Sequence, residues 1–223
     1  MLLAFDTSTR NMGIAIYDGI QVLCEYIWTS HDYHTVELAP AVAETLSRAG
    51  IEVQDLKLLA VATGPGSYTG LRIGMALAKG IALARHIPLI GIPTLNIVAE
   101  SQPVSPGFSL AAILQLGRGR LAVGWYVPSD GRWKLNPPIQ VTDVLNLSHQ
   151  IHEPTMICGE LTEEQQHILA RKYKNVILTS PAHSIRRPSF LAELAWKRWQ
   201  AGDIDDPATL SPTYLPIGEP IPG

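Results

Sequence analysis

The segment Gly64-Pro65-Gly66-Ser67-Tyr68-Thr69-Gly70-Leu71-Arg72-Ile73-Gly74 decides how the rest of this 223-residue chain is read. Before it, Leu58-Leu59-Ala60-Val61-Ala62 is an apolar run of strand length. Behind it, residues 71–85 are apolar on nearly every side and read as a helix, and Pro88-Leu89-Ile90-Gly91-Ile92 is the next strand. Strand, glycine-rich turn, helix and strand make a βαβ unit with parallel pairing. The loop is not a Walker P-loop, because no Lys-Ser/Thr pair follows its last glycine. Nor is it the dinucleotide fingerprint, since Gly64, Gly66 and Gly70 are spaced one residue too long. It offers backbone N–H groups and the Ser67 and Thr69 hydroxyls at a helix start. That arrangement suits an anion and equally suits a tight strand-to-helix turn.

Working outward, Leu2-Leu3-Ala4-Phe5 is a short apolar strand ending in Asp6-Thr7-Ser8-Thr9, where a carboxylate can hold hydrated magnesium or merely form a turn. Residues 13–17 and 21–28 read as strands flanking Asp18-Gly19, a hairpin signal. Three antiparallel strands therefore open the chain, as they do in RNase H-like sheets and in several other α+β folds. Leu38, Val42 and Leu46 recur at helical spacing, with Gly50 as the stop. Residues 102–107 are rich in proline and glycine and read as a linker. Beyond them come a strand pair (110–116 and 121–127), a strand at 155–158, a helix opened by the Thr162/Gln165 capping box and a strand at 176–178. A helix over 188–201 follows, begun by Pro188 and stopped by Gly202. Pro207, Pro212, Pro216, Pro220 and Pro222 make the tail extended. Both halves run from strands to alternating strand and helix. The expected division is 1–102 and 103–223, with the last helix returning to pack on the first lobe.

Composition narrows the function classes. With 46% hydrophobic and 17% charged residues the chain can build a core, and no apolar run is long enough to span a bilayer. Asp6 arrives before a secretory signal could develop, and Cys24 and Cys158 have no metal-ligand spacing, so a cytoplasmic protein with free thiols is expected. The net charge of −3 argues against an RNA-gripping surface, which needs clustered Lys and Arg. The small basic groups Arg118/Arg120, Arg171-Lys172 with Lys174, and Arg186-Arg187 read as solvated faces. His31/His34 and His149/His152 lack a third ligand, so no metal site is expected.

Taken together, Asp6-Thr7-Ser8-Thr9, His34-Thr35 and the glycine segment 64–74 closely resemble the YeaZ/TsaB family, densely over residues 1 to about 100. After residue 105 only size, element order and Pro212-Thr213-Tyr214-Leu215 agree. The resemblance implies an α/β, actin-like ATPase (ASKHA, RNase H-like) fold: two similar lobes of mixed sheet flanked by helices. It implies a role beside TsaD, the ATP-using subunit that places a threonylcarbamoyl group on the adenosine next to the tRNA anticodon, and through TsaD a link to a TsaE-type ATPase. It also implies pairing either with TsaD or with a second copy of the chain, and a partner that makes most of the tRNA contact. No cofactor is required. The resemblance leaves room for ATP or ADP with magnesium at the partner interface, held by Asp6, Thr7, Ser8, Gly64, Gly66, Ser67 and Thr69.

Departures from the family's catalytic relatives define the expected role. Thr94 and Val98 stand where those relatives carry a histidine pair, and neither binds a transition metal usefully. Gln115 stands where a carboxylate is common, and Pro216 replaces an arginine. No catalytic residue is therefore expected. Gly70, Gly74, Ala78 and Ala82 form a small-residue stripe at four-residue spacing, which permits close backbone approach by a partner or by the chain's own lobe. The family pairs through its first two helices, so the resemblance assigns the partner interface to Leu38, Val42, Leu46, Leu71, Gly74, Met75, Ala78 and Ala82. Two rivals remain: a free-standing actin-like ATPase or kinase, and a protease acting on its partner.

Overall fold

Every residue of Leu2–Asp6 (β1) is buried, the mark of a strand covered on both faces rather than one half-exposed at a sheet surface. In this computed structural model, which describes residues 1–31, 34–172 and 174–216, β1 lies at the middle of a five-stranded sheet. It pairs antiparallel with Asn11–Tyr17 (β2) and parallel with Leu58–Gly64 (β4). Val22–Thr29 (β3) and Leu89–Pro93 (β5) complete the order β3-β2-β1-β4-β5.

Alternation along β1 sends side chains to two layers. Leu3 and Phe5, with Leu59 and Val61, pack beneath His34–Arg48 (α1) and Tyr68–Arg85 (α2). Leu2 and Ala4, with Leu58 and Ala60, meet Pro188–Gln200 (α7) through Leu191, Ala192 and Ala195.

The second half repeats the plan. Ser109–Gly117 (β6) pairs antiparallel with Arg120–Ser129 (β7) and parallel with Thr155–Gly159 (β9). Arg132–Thr142 (β8) and Val176–Leu178 (β10) give the order β10-β9-β6-β7-β8. Substituting β6 to β10 for β1 to β5 reproduces the first sheet's order reversed in listing, with the same parallel and antiparallel pairings. Val144–Gln150 (α4) and Glu163–Ala170 (α5) cover the outer face through Leu147 and Leu169. Thr162 caps α5 as expected: its hydroxyl accepts from Gln165 N at 3.3 Å, and the Gln165 side chain accepts from Thr162 N at 3.0 Å.

The lobes exchange helices. Thr94–Glu100 (α3) follows the first sheet, yet Leu95, Val98 and Ala99 pack on the second. Helix α7 follows the second sheet and seats on the first. Pro181–Ser184 (α6) precedes α7. Past α7, Asp205 bridges to Leu89 at the β5 edge, and Thr213 N donates to Thr63 O at 2.7 Å, so the tail runs extended along that side. Pro220 and Pro222 lie outside the described residues. No helix among the described residues is long and apolar enough to cross a membrane.

The interface assignment needs correction. Leu38, Val42, Leu46, Leu71, Gly74, Met75, Ala78 and Ala82 are all buried within their own lobe. The stripe of small residues brings α2 close to the sheet and the β1 turn, not to another protein. The outward face of α2 lies two positions along, at Arg72, Ala76, Gly80, Leu83 and Ala84, with Ile73, Leu77 and Ile81 half-buried beside it. Val36, Pro40 and Ala43 are exposed on α1.

Candidate functional site

A cleft of about 710 Å³ opens between the lobes, lined by the turn after β1 (Ser8 to Asn11), the glycine loop (Gly66, Ser67), the end of β6 (Gln115), the turn after β9 (Glu160) and Arg186. Parallel strands with crossover helices place ligands at their carboxyl ends, and both β1 and β4 end here. The cleft therefore sits at the ligand position of an open α/β sheet.

The glycine loop is folded against the β1 turn at backbone contact. A Cβ on Gly66 would lie 2.3 Å from Ser8 O, and one on Gly70 would lie 2.2 Å from Thr7 O. Glycine is required at both positions by close approach. The groups offered as a phosphate cradle are largely engaged by the same packing. Ser67 N donates to Ser8 O at 2.6 Å, and the Ser67 hydroxyl caps α2 by accepting from Gly70 N at 3.2 Å. The Thr7 hydroxyl donates to Gly70 O at 2.7 Å. Ser8 Oγ shares a hydrogen bond with Thr94 Oγ1 at 2.8 Å, and Gly64 N donates to Thr94 Oγ1 at 3.0 Å. Thr94 thus ties both turns together. Of the seven residues assigned to cofactor binding, Ser8, Gly66 and Ser67 line the cleft; Asp6, Thr7 and Gly64 are buried behind it, and Thr69 is exposed in the first turn of α2.

Asp6 is the decisive residue. Its Oδ1 accepts from Ser8 N at 2.8 Å, and its Oδ2 accepts from the Arg186 guanidinium. Arg186 also donates from Nη1 to Glu160 Oε1 at 2.7 Å, and from Nη2 to Thr9 Oγ1 at 3.0 Å and Asn11 O at 2.8 Å. Thr9 Oγ1 in turn donates to Glu160 Oε1 at 2.6 Å. The reading of Arg186 as part of a solvated face is overturned: its side chain is 2% exposed. Burial works against its charge, but Asp6 and Glu160 outweigh this and hold its pKa above the ordinary guanidinium value. A carboxylate already paired with a buried cation does not fit a hydrated magnesium–phosphate, so the arrangement offers no such step.

Gln115 fills its place structurally, with Nε2 donating to Glu160 O at 3.1 Å and to Gln165 Oε1 at 2.5 Å. No group of three or more His, Cys, Asp or Glu able to hold a metal occurs among the described residues, and the His34 side chain lies outside them. The Cys158 thiol is buried, and burial pushes its pKa well above the ordinary value, so it is no nucleophile. The tail meets the glycine helix here: Tyr214 packs on Tyr68 with ring centroids 5.0 Å apart, and the Arg72 guanidinium lies 5.2 Å from the Tyr68 centroid.

Sequence reasoning missed Arg186 and Glu160. Arg186 is 180 residues from Asp6, and no local pattern distinguishes a buried arginine from the solvated one beside it.

The family model for TsaD, tRNA N6-adenosine threonylcarbamoyltransferase, matches residues 21–124. The tRNA threonylcarbamoyladenosine biosynthesis protein TsaB of Bacillus subtilis is 32% identical over 98% of this chain and 95% of its own length. The solved structure of YeaZ from Pseudomonas aeruginosa superposes with a TM-score of 0.74, covering 96% of this chain and 99% of that one at 21% identity. A ROK hexokinase from Thermus thermophilus shares the fold at a TM-score of 0.51 and 10% identity, over 90% of this chain and 99% of that one.

Proposed function

The chain belongs to the YeaZ/TsaB family, and on that footing we propose that it is a non-catalytic subunit in the formation of N6-threonylcarbamoyladenosine in tRNA, binding and activating a TsaD-type transferase. What carries the reading is the outward face of α2. Ala76, Gly80 and Ala84 are exposed at four-residue spacing, and a Cβ on Gly80 would meet nothing within 4 Å. Leu83 is 64% exposed beside them, and Val36 on the neighbouring α1 is 66% exposed. Small residues flanked by bare aliphatic side chains let a second helix approach closely. The likeness of residues 21–124 to the TsaD model supports a TsaD-type lobe as the occupant, since related lobes present related faces for pairing. The same face is the one we assign to self-association in the absence of the partner, with a TsaE-type ATPase reached only through the TsaD-type subunit. The net charge of −3 agrees with the partner making most of the tRNA contact.

Pull-down of the cognate TsaD-type subunit tests this. Ala76→Glu and Gly80→Arg should abolish capture without lowering the unfolding midpoint of the isolated chain, because a side chain at either position meets solvent. Undiminished capture by both variants sinks the proposal. Met75→Glu is no such test, since Met75 is buried in the core and the substitution unfolds the lobe. The rival of a free-standing ATPase predicts turnover by the isolated chain, lost in Asp6→Ala; the pairing of Asp6 with Arg186 counts against it. In the cleft lining the Thr9 hydroxyl sits on the Glu160 carboxylate, but that carboxylate is already paired with Arg186, which counts against the protease rival.

A further inference from the structure

Arg186 invites a reading beyond partner binding, and one that concerns the isolated chain alone. Asp6 ends β1 in the first lobe, and Glu160 follows β9 in the second. Two carboxylates from two lobes converge on one positive charge beside the cleft. Thr9 Oγ1 and Asn11 O complete the ring, and every ligand atom around the guanidinium is oxygen. Arg187, the next residue, grips Glu25 on β3, and Glu25 Oε1 also accepts from Ser189 N at 3.0 Å at the start of α7. One short stretch therefore seats α7 and closes the cleft.

We propose that Arg186 is an internal cation that stands in for a divalent metal between the lobes, locking them closed and making the cleft independent of nucleotide. A covalently attached cation cannot dissociate, and a guanidinium fork satisfies two carboxylates with fixed geometry. Magnesium could bind Asp6 only by displacing it. Removal of the side chain would leave Asp6, Glu160, Thr9 Oγ1 and Asn11 O facing a vacated volume, an all-oxygen set of the kind hard cations take.

The test uses the purified full chain. The wild-type unfolding midpoint should not move with millimolar manganese or Mg·ATP. Arg186→Gly should unfold at lower temperature, regain several degrees on adding manganese, and lose that regain when Asp6→Asn is added. Its radius of gyration by X-ray scattering should exceed that of wild type without metal and return toward it with metal. Stabilisation of the wild-type chain by manganese or Mg·ATP overturns the proposal, as does an Arg186→Gly chain that neither opens nor responds to metal. Should Arg186→Gly not fold, the uncharged triple variant Asp6→Asn, Glu160→Gln, Arg186→Gln carries the test. A larger radius of gyration supports the lock, and an unchanged one overturns it.

Discussion

Arg186 and Arg187 are neighbours in the chain with opposite surroundings, one buried and one with its side chain 51% exposed. The partner of the second gives a pH-dependent expectation. Burial alone would raise the Glu25 pKa, but hydrogen bonds from Arg187 and Ser189 outweigh it and hold the carboxyl below its ordinary range. A carboxylate whose folded pKa is depressed stabilises the protein fully above its unfolded pKa, about 4.3. That contribution fades as pH falls through the lower folded value. Glu25→Gln should therefore cost about 1 kcal/mol near neutrality, discounted for the exposure of Arg187. Urea titrations of the two proteins should converge as the pH drops below the carboxylate range. A gap that stays constant down to strongly acidic pH would refute the assignment.

Helix α2 shows how much an element reveals about itself. Its existence and its glycine-loop entry were legible, because an apolar run with small residues at four-residue spacing has few other uses. Which of two small-residue stripes faces the core was not, since both run the helix length and periodicity alone gives no absolute direction. The β1 turn decides it: a Cβ on Gly74 would lie 2.3 Å from Thr7 Oγ1, while Gly80 faces open space. Gly74→Ala should destabilise the chain by roughly 1–3 kcal/mol through overpacking. Gly80→Ala should stabilise it by roughly 0.5–1 kcal/mol, as expected of an exposed helical glycine. Thermal unfolding of the pair checks both signs at once. The elements that escaped sequence reading have physical excuses. Helices α3 and α4 have seven residues each, too short for a period, and β8 carries Pro137 and Pro138 on a sheet edge, where apolar alternation is weak.

At the scale of the molecule, the repeated strand order and the reciprocal seating of α3 and α7 join two lobes that each need the other's helix. The repeat of strands then alternating elements could be seen in the sequence, and the return of the last helix to the first lobe is expected from it; the crossing of α3 to the second sheet is not, because a seven-residue helix carries no period to read. Leu191 sits fully buried on the first sheet among Leu2, Ala4 and Leu58. Leu191→Ala should cost about 2–5 kcal/mol. Cooperative coupling of the lobes predicts one transition at lower urea, followed equally by Trp fluorescence and far-ultraviolet dichroism. Two separated transitions would show that the lobes unfold independently. The end of α7 and the tail add a further fastening: Arg198 Nη1 donates to Gly91 O at 2.8 Å, and Asp205 Oδ2 accepts from Gly91 N at 2.8 Å. Asp205→Ala should cost about 1–2 kcal/mol by the same assay.

The helix exchange also has a consequence during synthesis. As the chain leaves the ribosome, the five strands of the first sheet emerge by residue 93, whereas the helix that covers their inner face starts at residue 188. For almost half of translation, Leu2, Ala4, Leu58 and Ala60 lack the cover of α7, with only Ile97 of α3 already synthesised to join their cluster. A nascent fragment stalled near residue 102 should be sticky, retained by chaperones and readily digested by protease, and should become resistant only once α7 has cleared the exit tunnel.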